Sequence, residues 1–234
     1  MTDTDNNTAV RTEGVWKIFT QEAEEVQAVR GVDLRVERGE FTALAGPSGS
    51  GKTTLLNLIG GLTRPSRGQV WVAGQDIGGM SNQQLARLRL EQVGFIFQAY
   101  NLLPVLTALE NAEFPMLLQG IDAEQRHARV RELFTRTGLE GLEDRRPGKL
   151  SGGQQQRVAV VRAVAGKPAL VLADEPTANL DSHSSEALLD MMAELNRELG
   201  VTFVFATHDD HVMERSRRLV RMVDGQIASD ETRT

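Results

Sequence analysis

The sequence contains no cysteine, which removes disulfide frameworks and thiolate metal sites and is compatible with a cytosolic setting. No run reaches the roughly 18 apolar residues that a membrane span requires. The N-terminal MTDTDNNTAV has no basic segment ahead of an apolar run, so residues 1–10 read as a polar tail rather than a signal peptide. A basic tail or Lys/Arg stripe is also missing. With a formal charge of -6, that argues against nucleic acid as a partner. Internal repeats and low-complexity linkers are absent, and residues 229–234 read as a second polar tail. What remains is a chain of 234 residues, 40% apolar and 25% charged, enough for one large domain or for a core with a smaller lobe.

Periodicity places the elements. GEFTALAG (39–46), VGFIFQ (93–98), ALVLAD (169–174) and VTFVFAT (201–207) read as strands, three of them continuously apolar and therefore buried on both faces. GQVWVAG (68–74) alternates like a strand, with a turn at Gly74-Gln75-Asp76. Helices are expected over 53–59, from a Ser81 cap to about Leu90, over 107–118 with a possible kink at Pro115, over 122–137, from Gln154 to about Ala165, and over 183–198. Asp224-Gly225 fits a hairpin turn. Strands alternating with helices argue for an α/β core with a parallel sheet, and the strand-poor stretch after residue 98 for an inserted helical lobe.

GPSGSGKT (46–53) follows a strand and opens a helix, the context that makes a glycine-rich loop a phosphate cradle. Its glycines let consecutive N–H groups face phosphate oxygens, Lys52 can reach the β and γ phosphates, and Thr53 offers a hydroxyl to Mg²⁺. Asp174 and Glu175 stand at the end of a buried parallel strand, where ligands sit in such sheets. The aspartate can hold Mg²⁺ and the glutamate can polarise water. On an extended end, neighbours point different ways and can serve different tasks. His208 follows the strand 201–207 and can orient water or a phosphate there, although such a histidine is often simply a satisfied polar residue. His211 three residues on suggests a metal pair, but no further ligands are evident. Gln98 ends VGFIFQ, where its amide can touch Mg²⁺ or water or lie at the surface. Phe19 can stack on a base or fill a core. In LSGGQQQR (150–157) two glycines stand where a helix should start, although a cap needs only Ser151. Glycine there implies that something approaches the backbone closely.

Taken together, GPSGSGKT, Gln98, LSGGQQQR, LVLADEPT, NLD and His208 closely resemble the nucleotide-binding subunits of ABC transporters, over about residues 14–228. The resemblance implies an α/β P-loop NTPase (RecA-like) core with an antiparallel β subdomain and an inserted α-helical subdomain. It implies one ATPase domain over 11–228, with its core at 11–98 and 158–228 and its lobe at about 99–157. It implies that Gly46, Ser48, Gly49, Ser50, Gly51, Lys52, Thr53 and Thr54 bind ATP. Thr53, Gln98 and Asp174 would serve Mg²⁺, with Glu175 as catalytic base, His208 as switch, Asp181 as the D-loop aspartate and Phe19 against adenine in place of the usual tyrosine. Ser151, Gly152, Gly153 and Gln154 would form the family signature, closing over the nucleotide held by a second copy in a head-to-tail ATP sandwich. Two departures are mild: Thr53 where serine is commoner, and Val161 where alanine is usual.

A narrower resemblance joins the chain to the subfamily serving lipoprotein release, macrolide efflux and antimicrobial-peptide resistance, with the bacterial division-associated ATPase as the alternative. It implies a peripheral subunit on the cytoplasmic side of the plasma membrane, bound to few-span permeases with large extracytoplasmic domains. The loop after Gln98, with Tyr100, Leu102 and Leu103, is the expected contact. Chromosome-condensation ATPases share the motifs but need a long coiled coil between Thr53 and Ser151, and that stretch leaves no room for one.

Overall fold

The computed structural model describes residues 7–21 and 24–233. Two long strands, β1 (Thr8–Gln21) and β2 (Glu24–Glu37), pair with β4 (Arg67–Val72) and β5 (Gln75–Asp76) in a four-stranded antiparallel sheet of order β2-β1-β4-β5. The second sheet has six strands, in the order β10 (Gln226–Thr232), β9 (Arg218–Val223), β3 (Phe41–Ala45), β8 (Phe203–Thr207), β7 (Leu170–Asp174), β6 (Val93–Phe97). It is parallel from β9 to β6, and β10 closes it as an antiparallel edge. Helices α1 (Lys52–Ile59), α2 (Asn82–Gln92), α3 (Ala108–Leu118), α4 (Ala123–Arg136), α5 (Gly152–Ala165), α6 (Ser182–Leu199) and α7 (Asp210–Arg215) complete the chain.

The continuous apolar runs are explained by layers on both faces of the parallel sheet. Along β7, Leu170 and Leu172 point to one face and Val171 and Ala173 to the other; along β8, Val204 and Ala206 oppose Phe203 and Phe205. The first face packs on α1 and the inner side of the antiparallel sheet, through Leu55, Val10, Val32 and Val72. The second packs on α3 to α6, through Met116, Phe134, Val160 and Leu188. Phe41 lies 4.6 Å from Phe205, centroid to centroid, and anchors that side. Each face buries enough side chains of Leu and Phe size, at about 1.5–3 kcal/mol apiece, to dominate the fold's stability.

Three sequence expectations are corrected. Part of each expected tail is structured: Ala9 and Val10 are fully buried in β1 and Ser229 to Thr232 pair with β9, while residues 1–6 and 234 lie outside the described residues. Polar residues suit an exposed edge, and Asp230 there takes two N–H groups of Arg218, at 2.8 and 2.7 Å. The β4–β5 turn is Ala73-Gly74, both at positive φ, whereas Gln75 and Asp76 pair with Val72 and Trp71. A two-residue hairpin of this kind needs a left-handed conformation at both positions, and Ala73 adopts it. The helix expected from Gln154 starts at Gly152, so both glycines lie inside its first turn. Asp224-Gly225 forms the expected hairpin turn. Pro115 sits inside α3, and the loop ahead of that helix is pinned by the buried Asn111 amide, bonded to the N–H and C=O of Leu103 and to two further carbonyls.

Candidate functional site

The phosphate loop joins the end of β3 to the start of α1. Gly51 caps α1 at φ 98°, a left-handed conformation, and a Cβ there would stand 2.3 Å from the Ala28 carbonyl oxygen. A Cβ at Gly46 would stand 2.2 Å from the Met222 carbonyl oxygen. These two glycines are therefore demanded by strands that press against the loop, in addition to any ligand. Ser48 and Gly49 form the exposed tip, and Thr54 lies one residue deeper than the exposed Thr53. Lys52 folds back over the loop and donates to Gly46 O at 2.7 Å and Pro47 O at 2.9 Å. Its ammonium thus stands at the loop mouth, held by weak acceptors that an anion would outcompete. Among the described residues, the buried Ser50 hydroxyl has no hydrogen-bond partner. A backbone cradle with an ammonium at its mouth and an unpaired hydroxyl fits a phosphate chain.

The acidic end of β7 meets this loop. Thr53 Oγ1 donates to Asp174 Oδ1 at 2.9 Å, joining positions far apart in sequence. Burial pushes the Asp174 carboxyl up; the Thr53 hydrogen bond pulls it down, nearby Glu175 raises it and Lys52 opposes. A hydroxyl and a carboxylate side by side are the hard oxygen set that suits Mg²⁺ beside phosphates.

Glu175 is not extended, as the sequence suggests, but left-handed, at φ 47°. Pro176 follows it and disfavours the right-handed helical region for the preceding residue. Such a conformation costs on the order of 1–3 kcal/mol and persists only where the surroundings over-determine it. Both oxygens of its carboxylate are engaged: Oε1 lies 2.7 Å from His208 Nδ1, and Oε2 accepts from Thr207 Oγ1 at 3.3 Å. An ionised carboxylate only accepts, so the imidazole donates.

Gln98 lies at the end of β6 in a mutual amide pair. Asn179 Nδ2 donates to Gln98 O at 2.8 Å, and Gln98 Nε2 to Asn179 Oδ1 at 3.4 Å. Tyr100, the chain's single tyrosine, donates its hydroxyl to Asn179 O at 3.3 Å. A Cβ at Gly152 would stand 2.9 Å from that hydroxyl, which is one answer within the chain to why glycine stands there. Arg162 of α5 donates to the carbonyls of Tyr100 and Asn101, both at positive φ, and burial lowers its guanidinium below its ordinary value.

Ser151 caps α5 with a reciprocal pair: its hydroxyl accepts from Gln154 N at 3.2 Å, and its own N–H donates to Gln154 Oε1 at 3.0 Å. The side chain of Ser151 stays exposed, and its bonds remain within its own helix start. Asp181 caps α6, accepting from Ser184 N and Ser184 Oγ, and these bonds hold its carboxyl below the usual range. Phe19, on β1, is 40% exposed, with the Lys17 ammonium 4.9 Å from its ring centroid, so one face of the ring already carries a cation. The fold thus brings Lys52, Thr53 and Asp174 together, Glu175 to His208, and Gln98 to the segment leading to Asp181. It places Phe19 on the antiparallel sheet and Ser151 at a helix start of its own. Sequence reading gave no role to Asn179, although it opens the NLD motif, or to Thr207 and Arg162, which lie beside or within quoted stretches. Among the described residues no helix is long and apolar enough to cross a membrane.

The family profile described as ABC transporter matches residues 29–178. The chain is 48% identical over 222 residues to the lipoprotein-releasing system ATP-binding protein LolD of Anaeromyxobacter dehalogenans, covering 94% of this chain and 93% of that protein. It is 46% identical to the macrolide export ATP-binding/permease protein MacB of Chromobacterium violaceum, covering 93% of this chain but 34% of that longer protein. A solved dimeric bacterial ABC transporter cassette superposes with a TM-score of 0.87 at 38% identity, over 95% of this chain and 98% of that one. A second dimeric structure of that cassette, described as a post-hydrolysis state bound to ADP and Pi, superposes with a TM-score of 0.86 at 38% identity, over 95% of this chain and 98% of that one. The chain belongs to the ABC transporter family, a class of P-loop ATPases. Within it, this chain is the ATP-hydrolysing nucleotide-binding subunit of a transporter.

Proposed function

We propose that this subunit drives a membrane complex of the lipoprotein-release or macrolide-export type by closing, as a head-to-tail pair, around ATP and Mg²⁺. One observation carries the reading. The phosphate loop, Asp174, Glu175 and His208 converge at one sheet edge, while Ser151 opens a second helix N-terminus whose polar bonds leave it facing solvent. A single nucleotide needs one phosphate loop, so the second helix start serves the nucleotide of another copy. The dimeric relatives support that pairing.

Lys52 gives up the Gly46 and Pro47 carbonyls for the β and γ phosphates. Mg²⁺, when bound, neutralises charge on those oxygens. Thr53 and Asp174 would hold it, with the Gln98 amide as a further oxygen ligand. Glu175 turns from His208 to polarise the attacking water, and the freed imidazole meets the γ phosphate. Gly46, Ser48, Gly49, Ser50, Gly51 and Thr54 line the cradle. Phe19 offers its open face to adenine, and Asp181 reaches the second copy. Loss of the γ phosphate removes the charge that bridges the copies, and the pair opens.

In this reading the subunit meets such a complex through protein contacts on the cytoplasmic face of the membrane. A cavity of about 370 Å³ between β6, α3 and α5 suits that contact. Its wall is apolar, with Leu62, Phe95, Phe97 and Leu118, and carries Arg89 and Arg162. Leu62 and Leu118 are 48% and 58% exposed at its rim. A short amphipathic helix of the permease fits such a groove. Leu118→Glu should leave ATP affinity unchanged and release the subunit from detergent-solubilised complexes of the native host. Co-purification of the permease at wild-type yield with the mutant would place the contact elsewhere.

A further inference from the structure

The third glutamine of the 150–157 stretch points away from the helix start, into the protein. Gln156 is fully buried, and its Nε2 donates to the Pro176 carbonyl at 2.7 Å. Its Oε1 has no partner among the described residues. Pro176 directly follows Glu175, the residue held at a left-handed φ of 47°. From the other side, the buried Thr177 donates its hydroxyl to Asp209 Oδ2 at 2.8 Å. Glu175 N itself donates to Ala206 O at 2.9 Å. The strained residue is therefore pinned by its own N–H, by the carbonyl after it and by the side chain beyond that.

Asp209 extends the tie to the carboxylate itself. Its N–H donates to Thr207 Oγ1 at 3.0 Å, occupying a lone pair of that hydroxyl and directing its proton onward to Glu175 Oε2. Asp209 also caps α7, accepting from His211 N at 2.9 Å. A continuous path of bonds thus runs from α5 through Pro176, Thr177, Asp209 and Thr207 to the carboxylate that His208 also holds.

We infer that Gln156 and Thr177 are positioning residues for Glu175. The buried Gln156 amide and the Thr177–Asp209 bond hold its left-handed backbone, and with it the aim of the carboxylate. The inference rests on Glu175 as the group that polarises water. It gives the α5 helix a role within its own chain, separate from its exposed Ser151 start. A carboxylate misplaced by a fraction of an ångström to an ångström loses rate steeply while nucleotide affinity, set by the phosphate loop, stays put.

Gln156→Met separates positioning from folding. Methionine matches the unbranched shape and removes the amide, leaving the Pro176 carbonyl unpaired. It also removes the unpaired Oε1, so one buried orphan replaces another and the melting temperature should hold. Thr177→Val removes the hydroxyl at constant shape, and Thr177→Ser restores it. Steady-state phosphate release and ATP titration are measured on all three variants, with Glu175→Gln alongside. The expected result is a fall in kcat of about tenfold or more for Gln156→Met and Thr177→Val, ATP affinity within about twofold of wild type, and near-wild-type kcat for Thr177→Ser. Wild-type kcat in Gln156→Met and Thr177→Val, with Glu175→Gln inactive, overturns the positioning role and leaves Glu175 in place. So does a parallel loss of ATP affinity, which marks a purely structural bond. Full activity of Glu175→Gln overturns the assignment of the base, and the tie with it.

Discussion

Glu175→Gln is expected to bind ATP as wild type does and to lose turnover by roughly 10²–10⁴-fold, the range contributed by a positioned acid or base. The amide has the shape of the carboxylate, so the turn at φ 47° and the bond from Glu175 N to Ala206 O should persist. What it lacks is the charge that draws a proton from water. Neighbouring Asp174 does not replace it, because Thr53 already occupies one of its oxygens. Phosphate release in the steady state gives the rate, and titration with ATP gives the affinity. Wild-type release by the purified mutant would remove Glu175 from the chemistry.

Lys52→Ala acts at the opposite stage. The ammonium now rests on two carbonyls of its own loop, and both accept less strongly than a phosphate oxygen. A charged hydrogen bond is worth about 1.5–3 kcal/mol, so ATP affinity should fall roughly ten- to hundredfold. The fold should survive, because Leu55, Leu58 and Ile59 keep α1 in the core and the loop glycines remain seated against Ala28 and Met222. Calorimetry that finds unchanged affinity would remove Lys52 from the phosphate site.

What could be read in the sequence was local. β3, β7 and β8 are short and apolar on both faces, so their runs read directly as buried strands. The Ser81 and Ser151 caps and the Asp224-Gly225 turn are each written within four residues. The longest strands were hidden. In β1 and β2 charged side chains cover the outer face, and register shifts near Thr12, Val15 and Lys17 interrupt the alternation that would have exposed them. Glu175 illustrates a different limit: its left-handed turn depends on bonds to Ala206, Asp209 and Gln156, from two other segments of the chain. The Gln98–Asn179 pair likewise joins distant positions through complementary amides, which no local pattern encodes. The residues that could contact nucleotide were legible because phosphate chemistry demands a contiguous loop. Those that aim them are scattered, because only the fold brings them together.

The central claim is that the phosphate loop of one copy and the Ser151 helix start of another complete a single ATP site. Its most direct test is the mass in solution, by light scattering with saturating ATP and Mg²⁺, of chains that all carry Glu175→Gln so that bound nucleotide persists. With no further change, these chains should pair. Adding Lys52→Ala or Ser151→Arg should leave each variant single when measured alone. An equal mixture of the two should pair again, because one intact phosphate loop then faces one intact Ser151. A mixture that stays single while the parent pairs, or Ser151→Arg chains that pair by themselves, would contradict the shared site.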